Sequence, residues 1–253
     1  QEFYNFKFKK LFSKKGLVIW ISSFIFPFAK FFLARASRFL PIPSKGEKAN
    51  LLDVGCGRGD FLIRAQNCGY YAAGIDFDPK TVNIANLRGL EVQTTEIQDL
   101  PKDIKYDAIT LSHVLEHVYD PKALLEDVLS RLKPGGYFYL STPNFDSAGQ
   151  LTFQKKWRGL DAPRHLNLFS SIHLKKILED IGFISVKQVY DFPQSIGIIK
   201  SSFKLKFKSK IPFIEGLRHI YLLFKYKFYH LNHLDVAVFR CYKKEESEFH
   251  SRD

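Results

Sequence analysis

The sequence predicts an α/β fold: a mostly parallel sheet covered by helices on both faces. Three observations carry this. From residue 49 onward strand-like and helix-like segments alternate; the strand segments are apolar runs; and a glycine-rich turn joins the first strand to the first helix. At 253 residues the chain can bury one sizeable core and carry appendages beside it.

The elements follow in order. "ANLLDV" (49–54) reads as a buried strand, then the turn, then a helix from Asp60 to Asn67. "YYAAGID" (70–76) is a second strand, and the helix after it starts at Pro79 and stops at Gly89. "LEVQTT" is a third strand and "YDAITLS" (106–112) a fourth. A helix from Pro121 to Leu132 ends in "KPGG", which turns into "YFYLST" (137–142). "SSIHLKKILEDIGF" is a capped amphipathic helix running into "ISVKQVYDF", and "LDVAVFRCYKK" (234–244) closes the set.

Charge divides the chain. Residues 1–40 hold eight Lys or Arg against Glu2 alone, and residues 193–233 hold eight against Glu215 alone. The net charge of +12 therefore belongs to two appendages, and the remainder is close to neutral. The organisation expected is a basic, aromatic helical appendage at 1–40, a core at 41–192 and 234–246, a basic, aromatic insertion at 193–233, and a tail at 247–253. The three cysteines, Cys56, Cys68 and Cys241, are scattered without a CxxC pair. That argues against a disulfide framework or a zinc site and for a reducing compartment.

The chemistry starts at "LLDVGCGRGDFL" (51–62). Gly55, Gly57 and Gly59 sit where a strand gives way to a helix, so the backbone can approach a ligand closely. The spacing is G-x-G-x-G, not the dinucleotide G-x-G-x-x-G. Asp53 stands at the loop's entry, where a carboxylate would clash with a pyrophosphate and suits a ligand carrying positive charge. Asp76 ends the second strand, 23 residues on, where an acid can bind ribose hydroxyls.

"LLDVGCGRG", "GIDFDP", "YDAITLSHVLEHVYDP" and "LKPGGYFYLSTPN" resemble, in order, the motifs of class I S-adenosylmethionine-dependent methyltransferases, over residues 49 to 192. "DAPRHLNLFS" (161–170), followed by a helix and "IGF", is similar to the subgroup of ubiquinone-biosynthesis-type O-methyltransferases and glycan- and lipid-cluster methyltransferases. The resemblance implies a Rossmann-like, seven-stranded sheet with an antiparallel last strand, and S-adenosylmethionine as cofactor. It also implies a cofactor site. Asp53, Gly55, Cys56, Gly57 and Gly59 would hold the amino-acid end; Asp76 and Phe77 would take the ribose side. Glu96 and Ile97 would lie near the adenine, and Ser112 and His113 would face the methionine part.

His113, Glu116 and His117 read H-x-x-E-H, formally an inverted zinc-protease motif. The stretch joins a strand to a helix among methyltransferase motifs, which sets that reading aside. Some ubiquinone-type relatives resemble this stretch but carry E-x-x-E-H and bind a divalent ion there. His113 replaces the first Glu, a hard oxygen ligand, so no metal is expected; Glu116 and His117 read as a hydrogen-bonded pair shaping the turn.

Methyl transfer is an in-line displacement at an activated sulfonium, so positioning supplies most of the acceleration. A hydroxyl acceptor must also lose its proton, which makes His113, His117 and His165 the catalytic candidates. Trp157, Arg158, Asp161, Arg164 and His165 share the polar stretch where such folds bind their acceptor.

Between Leu17 and Ala34 only Lys30 is charged, but those 18 residues are broken by Pro27 and fall short of a membrane span. On a helix, Ser22, Ser23, Lys30, Ser37 and Arg38 cluster on one side, a pattern suited to a membrane interface. In the insertion, "FKLKFKSK" (203–210) alternates apolar residues with Lys, which in an extended segment gives one greasy and one cationic face. Both appendages read either as a lid over the acceptor pocket or as a contact with an anionic membrane surface. The whole reads as a cytoplasmic enzyme, peripheral at the inner face of the membrane, acting at oxygen on a small or lipid-linked acceptor. An RNA or DNA methyltransferase is the first alternative, since basic patches bind phosphates. Against it, "LSHVLEH" lacks the Asn/Asp-Pro-Pro-aromatic motif of base-amino methylation, and no cysteine falls where a base-attacking thiolate is needed. A non-catalytic S-adenosylmethionine-binding protein is the second.

Overall fold

The computed structural model of the chain describes residues 49–189, 192–207 and 234–245, with Arg38, Leu40, Pro41 and Pro43. The expected N-terminal helix, the insertion beyond residue 207 and the tail lie outside the described residues.

Seven strands form one sheet: β1 (Ala49–Val54), β2 (Tyr70–Asp76), β3 (Glu91–Thr94), β4 (Tyr106–Ser112), β5 (Leu132–Pro143), β6 (Phe183–Gln188) and β7 (Val236–Lys243). Their order is β3-β2-β1-β4-β5-β7-β6, with β7 antiparallel to both neighbours and β1 to β5 parallel. The order reverses between β1 and β4, and the carboxyl ends of the strands at such a reversal are the usual place for a ligand in open α/β sheets.

Six α-helices cover the sheet among the described residues: α1 (Asp60–Gln66), α2 (Pro79–Leu87), α3 (Pro121–Arg131), α4 (Ala148–Phe153), α5 (Ser171–Ile181) and α6 (Phe192–Phe207). Their starts are written locally. Asp78 and Asp120 each accept a backbone N–H at the entrance of a helix whose first residue is proline, and Ser170 caps α5 in the same way. Gly182 ends α5 in the left-handed region at φ 112°.

Alternate residues of the central strands feed the two faces. On one, Leu52, Val54, Ile109, Leu111 and Phe138 pack with Leu125 and Val128 of α3 and Leu174 and Leu178 of α5. On the other, Leu51, Ala108 and Tyr139 pack with Phe61, Leu62 and Ala65 of α1 and Val82 and Ala85 of α2. The β3–β4 link holds only a three-residue 3-10 turn, Ile97–Asp99, where a crossover helix would otherwise sit.

The structure departs from the sequence reading in three places. β5 starts at Leu132, so "KPGG" lies inside a strand, with its pairing to β4 shifted between Tyr106 and Ala108. The segment after β5 contains α4, which the sequence did not signal. Residues 203–207 belong to helix α6. The Lys alternation there is therefore not the two-faced extended segment expected, because helical neighbours lie 100° rather than 180° apart.

Candidate functional site

The glycine loop is built by backbone geometry. Gly55, Gly57 and Gly59 have φ of 69°, 54° and 77°, a region that costs any other residue strain. Added side-chain carbons at Gly55 and Gly59 would strike Val114 and Leu90, at 2.3 and 2.2 Å. At Gly57 the same carbon would meet nothing within 4 Å. Two of the glycines close the loop onto the protein, and the middle one leaves a cradle open. The N–H groups of Gly55 and Cys56 bond to Ile75 O, and Gly57 N–H donates to Asp76 Oδ2 at 2.8 Å. Asp76 Oδ1 accepts from Asp78 N–H at 3.0 Å, so the carboxylate at the end of β2 is held in one orientation beside the loop.

Cys56 points inward against Gly74, and burial pushes its thiol up to about 12. It is packing, not a nucleophile. Phe77 is 84% exposed just past Asp76. Glu96 is exposed at the start of the 3-10 turn, while the Ile97 side chain is spent in the core.

Asp53 is fully buried, and burial raises its carboxyl above the usual range against the opposing charge of Arg38. Its Oδ1 accepts from Thr110 Oγ1 at 2.6 Å, a contact set by the Asp53–Thr110 register of β1 and β4. The same oxygen is ion-paired with Arg38, and Oδ2 has no hydrogen-bond partner among the described residues. Arg38 also donates to Thr110 and stacks on Phe61, 3.9 Å from the ring centroid. The sequence reading left Arg38 in the appendage, and no local motif marks it; only the fold brings it to the loop.

At the ends of β4 and β5, Ser112 and Ser141 share a hydrogen bond of 2.9 Å, again a paired register position. His113 lies left-handed at φ 57°. Its Nδ1 is 3.0 Å from Glu116 Oε1 and its Nε2 is 2.9 Å from Gln194 Oε1 of α6. Glu116 is 1% exposed, and its Oε2 accepts from Thr142 Oγ1. Burial opposes charge on both partners, yet their mutual hydrogen bond and attraction leave His113 above and Glu116 below its ordinary value.

Next to this pair the rings of His117 and His165 meet edge to face, centroids 4.8 Å apart. His117 Nδ1 lies 2.9 Å from Arg164 O, and His165 Nδ1 lies 2.7 Å from Gly159 O. A carbonyl oxygen only accepts, so each Nδ1 carries a proton and each neutral ring keeps its lone pair on Nε2. Glu116, His117 and His165 bring one ligand-type atom each within 4.8 Å of one another, the group among the described residues whose donors could hold a metal.

Asp161 is ion-paired with both Arg158 and Arg164. Burial raises its carboxyl, but the two guanidiniums outweigh this and hold it below the usual range. His165 Nε2 lies 4.0 Å from Asp161 Oδ2. Trp157 sits in the core rather than on the cleft wall: it is 1% exposed, and its indole N–H donates to Asp235 at 2.9 Å. Its place in the polar stretch reflects packing with Phe153 and Ile199.

Comparison with known proteins adds to this geometry. The family described as "Methyltransferase domain" matches residues 26–188. The chain is similar to the ubiquinone biosynthesis O-methyltransferases of Xanthomonas oryzae and Xanthomonas campestris, 38% identical over 104 residues. That stretch is 38% of this chain and 44% of theirs, so the chain spans less than half the length of these curated relatives. By structure it is similar to phosphoethanolamine N-methyltransferase 2 of Haemonchus contortus, solved with S-adenosylhomocysteine. The TM-score is 0.58 at 17% identity, over 85% of this chain and 53% of that one. A SAM-dependent methyltransferase of Archaeoglobus fulgidus aligns at TM-score 0.56 and 22% identity, over 85% and 94% of the two chains.

Proposed function

The chain belongs to the methyltransferase-domain family, an S-adenosylmethionine-dependent enzyme family, and from that premise we propose that it methylates a hydroxyl oxygen on a small or amphiphilic acceptor. S-adenosylmethionine supplies the electrophilic methyl group when bound. The residues present fit it. Arg38 and Asp53 set a cation beside an anion, the complement of an amino-acid zwitterion, and Asp53 Oδ2 is a buried acceptor in want of a donor. Gly57 leaves the open cradle, and Asp76 at the end of β2 is assigned the ribose, with Phe77 exposed beside it. Glu96 and the backbone at Ile97, with Ser112, complete the reading of the cofactor pocket.

The observation that carries oxygen as the target is the pair of pinned imidazoles. His117 and His165 each hold Nδ1–H on a carbonyl, which leaves Nε2 as the lone-pair nitrogen of each, and the two rings meet edge to face. A hydroxyl docked there loses its proton to one of them as it attacks, a role worth about 10²–10⁴ in rate. His113 is assigned a supporting place, since both its nitrogens are already in hydrogen bonds. Asp161, held by Arg158 and Arg164, lies 4.0 Å from His165 Nε2 and is placed to stabilise the imidazolium once that nitrogen has taken a proton.

The test has two stages. Calorimetry with S-adenosylmethionine and S-adenosylhomocysteine is expected to give saturable binding that Asp76→Ala loses. Methyl transfer to a panel of hydroxyl-bearing acceptors is then expected to fall at least 100-fold in His117→Ala or His165→Ala, with cofactor affinity unchanged. Full activity in both variants would remove the base role. Transfer to amines alone would remove oxygen as the target.

A further inference from the structure

We propose that His113 is the built-in counter-cation of Glu116, and that this pair is the post from which the acceptor wall hangs. Glu116 is buried and, when ionised, only accepts hydrogen bonds. Its two carboxylate oxygens are both taken, Oε1 by His113 and Oε2 by Thr142. Its backbone oxygen accepts the N–H groups of Leu166 at 2.7 Å and Asn167 at 3.1 Å. Asn167 Nδ2 in turn donates to Val118 O at 2.6 Å, and His117 Nδ1 donates to Arg164 O at 2.9 Å. Four bonds thus tie the segment carrying His165 to the turn carrying Glu116 and His117. Displacing the Glu116 side chain would move both imidazoles.

The backbone at His113 is shaped for this contact. Its N–H bonds to Ser141 O at 2.9 Å as β4 ends, and the left-handed φ swings the ring back over the following turn. Histidine tolerates that region better than most side chains. The far nitrogen meets Gln194 Oε1, and Gln194 Nε2 donates to Tyr139 OH at 3.3 Å. Glu116 Oε1 and Gln194 Oε1 both only accept, so in this arrangement both ring nitrogens carry protons and the ring is a cation. A buried carboxylate with no opposite charge would cost several kcal/mol, so a partner of some kind is required.

The consequence is chemical. Glu116, His117 and His165 have the donor types of a divalent-ion site, yet the carboxylate is already balanced from within the chain. An incoming ion would have to displace His113. His113 is therefore a positioning residue, acting through Glu116 on the two imidazoles, and it stands independently of whether the acceptor atom is oxygen.

The test titrates the full chain calorimetrically with Mg²⁺, Mn²⁺ and Zn²⁺. Wild type is expected to give the same isotherms as Glu116→Gln, and His113→Glu, which removes the cation and adds a ligand, is expected to bind at least tenfold more tightly than either. A double-mutant cycle adds a second readout: His113→Gln with Glu116→Gln is expected to melt no lower than the worse single variant. Binding of a divalent ion by wild type that Glu116→Gln abolishes would overturn the proposal, as would additive losses in the cycle. A cooperative melting transition and an unchanged far-UV circular dichroism spectrum are the check of folding for each variant. Failure of wild type to bind S-adenosylmethionine would strike the cofactor reading and leave this one in place.

Discussion

The guanidinium of Arg38 is ion-paired with Asp53 across fifteen residues of chain, and its central carbon lies 3.9 Å over the centroid of the Phe61 ring. One side of the glycine loop is thus completed by a residue from outside the strand–helix core. Arg38→Ala leaves a fully buried carboxylate without its partner and is expected to cost about 3–5 kcal/mol in denaturant unfolding. Asp53→Asn keeps the shape and removes the anion. Calorimetry is expected to show at least tenfold weaker S-adenosylmethionine binding in that variant with little change in stability.

The glycines of the loop separate two kinds of defect. Gly55→Ala drives a carbon into Val114, and the expected result is a lower melting temperature before any question of binding arises. Gly57→Ala meets no neighbour, so only its left-handed backbone is penalised, by about 1–2 kcal/mol. Its added methyl group stands in the cradle, and cofactor affinity is expected to fall far more than stability. Equal affinity in Gly57→Ala and wild type would place the ligand elsewhere.

Asp235 gives a pH signature. Burial pushes its carboxyl up to about 7, against hydrogen bonds from Trp157 and Ser147. The folded state therefore holds this proton more tightly than the unfolded state does. The stability it contributes is complete below the unfolded value near 3.8 and is lost as pH rises through about 7. Denaturant unfolding of wild type and Asp235→Asn from pH 4 to 8 is expected to show their difference shifting against wild type across that window. A constant difference would mean the carboxyl titrates normally.

Tyr119, Leu166, Leu168 and Ile172 are exposed, and the bonds from Leu166 N–H to Glu116 O and from Asn167 Nδ2 to Val118 O hold the stretch carrying Leu166 against the turn that precedes Tyr119. Among the described residues no helix is long and apolar enough to cross a membrane. In a chain of net charge +12, these exposed apolar residues are expected to bind vesicles containing an anionic lipid, in a salt-sensitive way. Co-sedimentation of wild type against a variant with Leu166, Leu168 and Ile172 changed to Ser measures it. Equal sedimentation of the two would confine these residues to acceptor binding.

The sequence by itself determined the sheet, the glycine loop and the two acids, because each is local: apolar strands, positive-φ turns and an acid at a strand end are written within a few residues. The helix starts at Pro79 and Pro121 were legible for the same reason. What only the tertiary structure decided depends on contacts across long stretches of chain. The sequence offered three equivalent histidines; the fold ties His113 to Glu116 and Gln194 and leaves His117 and His165 each with a basic nitrogen. It put Trp157 in the core through Asp235, 78 residues away, and it brought Arg38 to Asp53. It also made residues 203–207 the end of a helix, where the Lys alternation pointed to an extended chain. The physical reason is the same in each case. A side chain's chemistry is set by what desolvates it and what it is bonded to, and neither is a property of its neighbours in sequence.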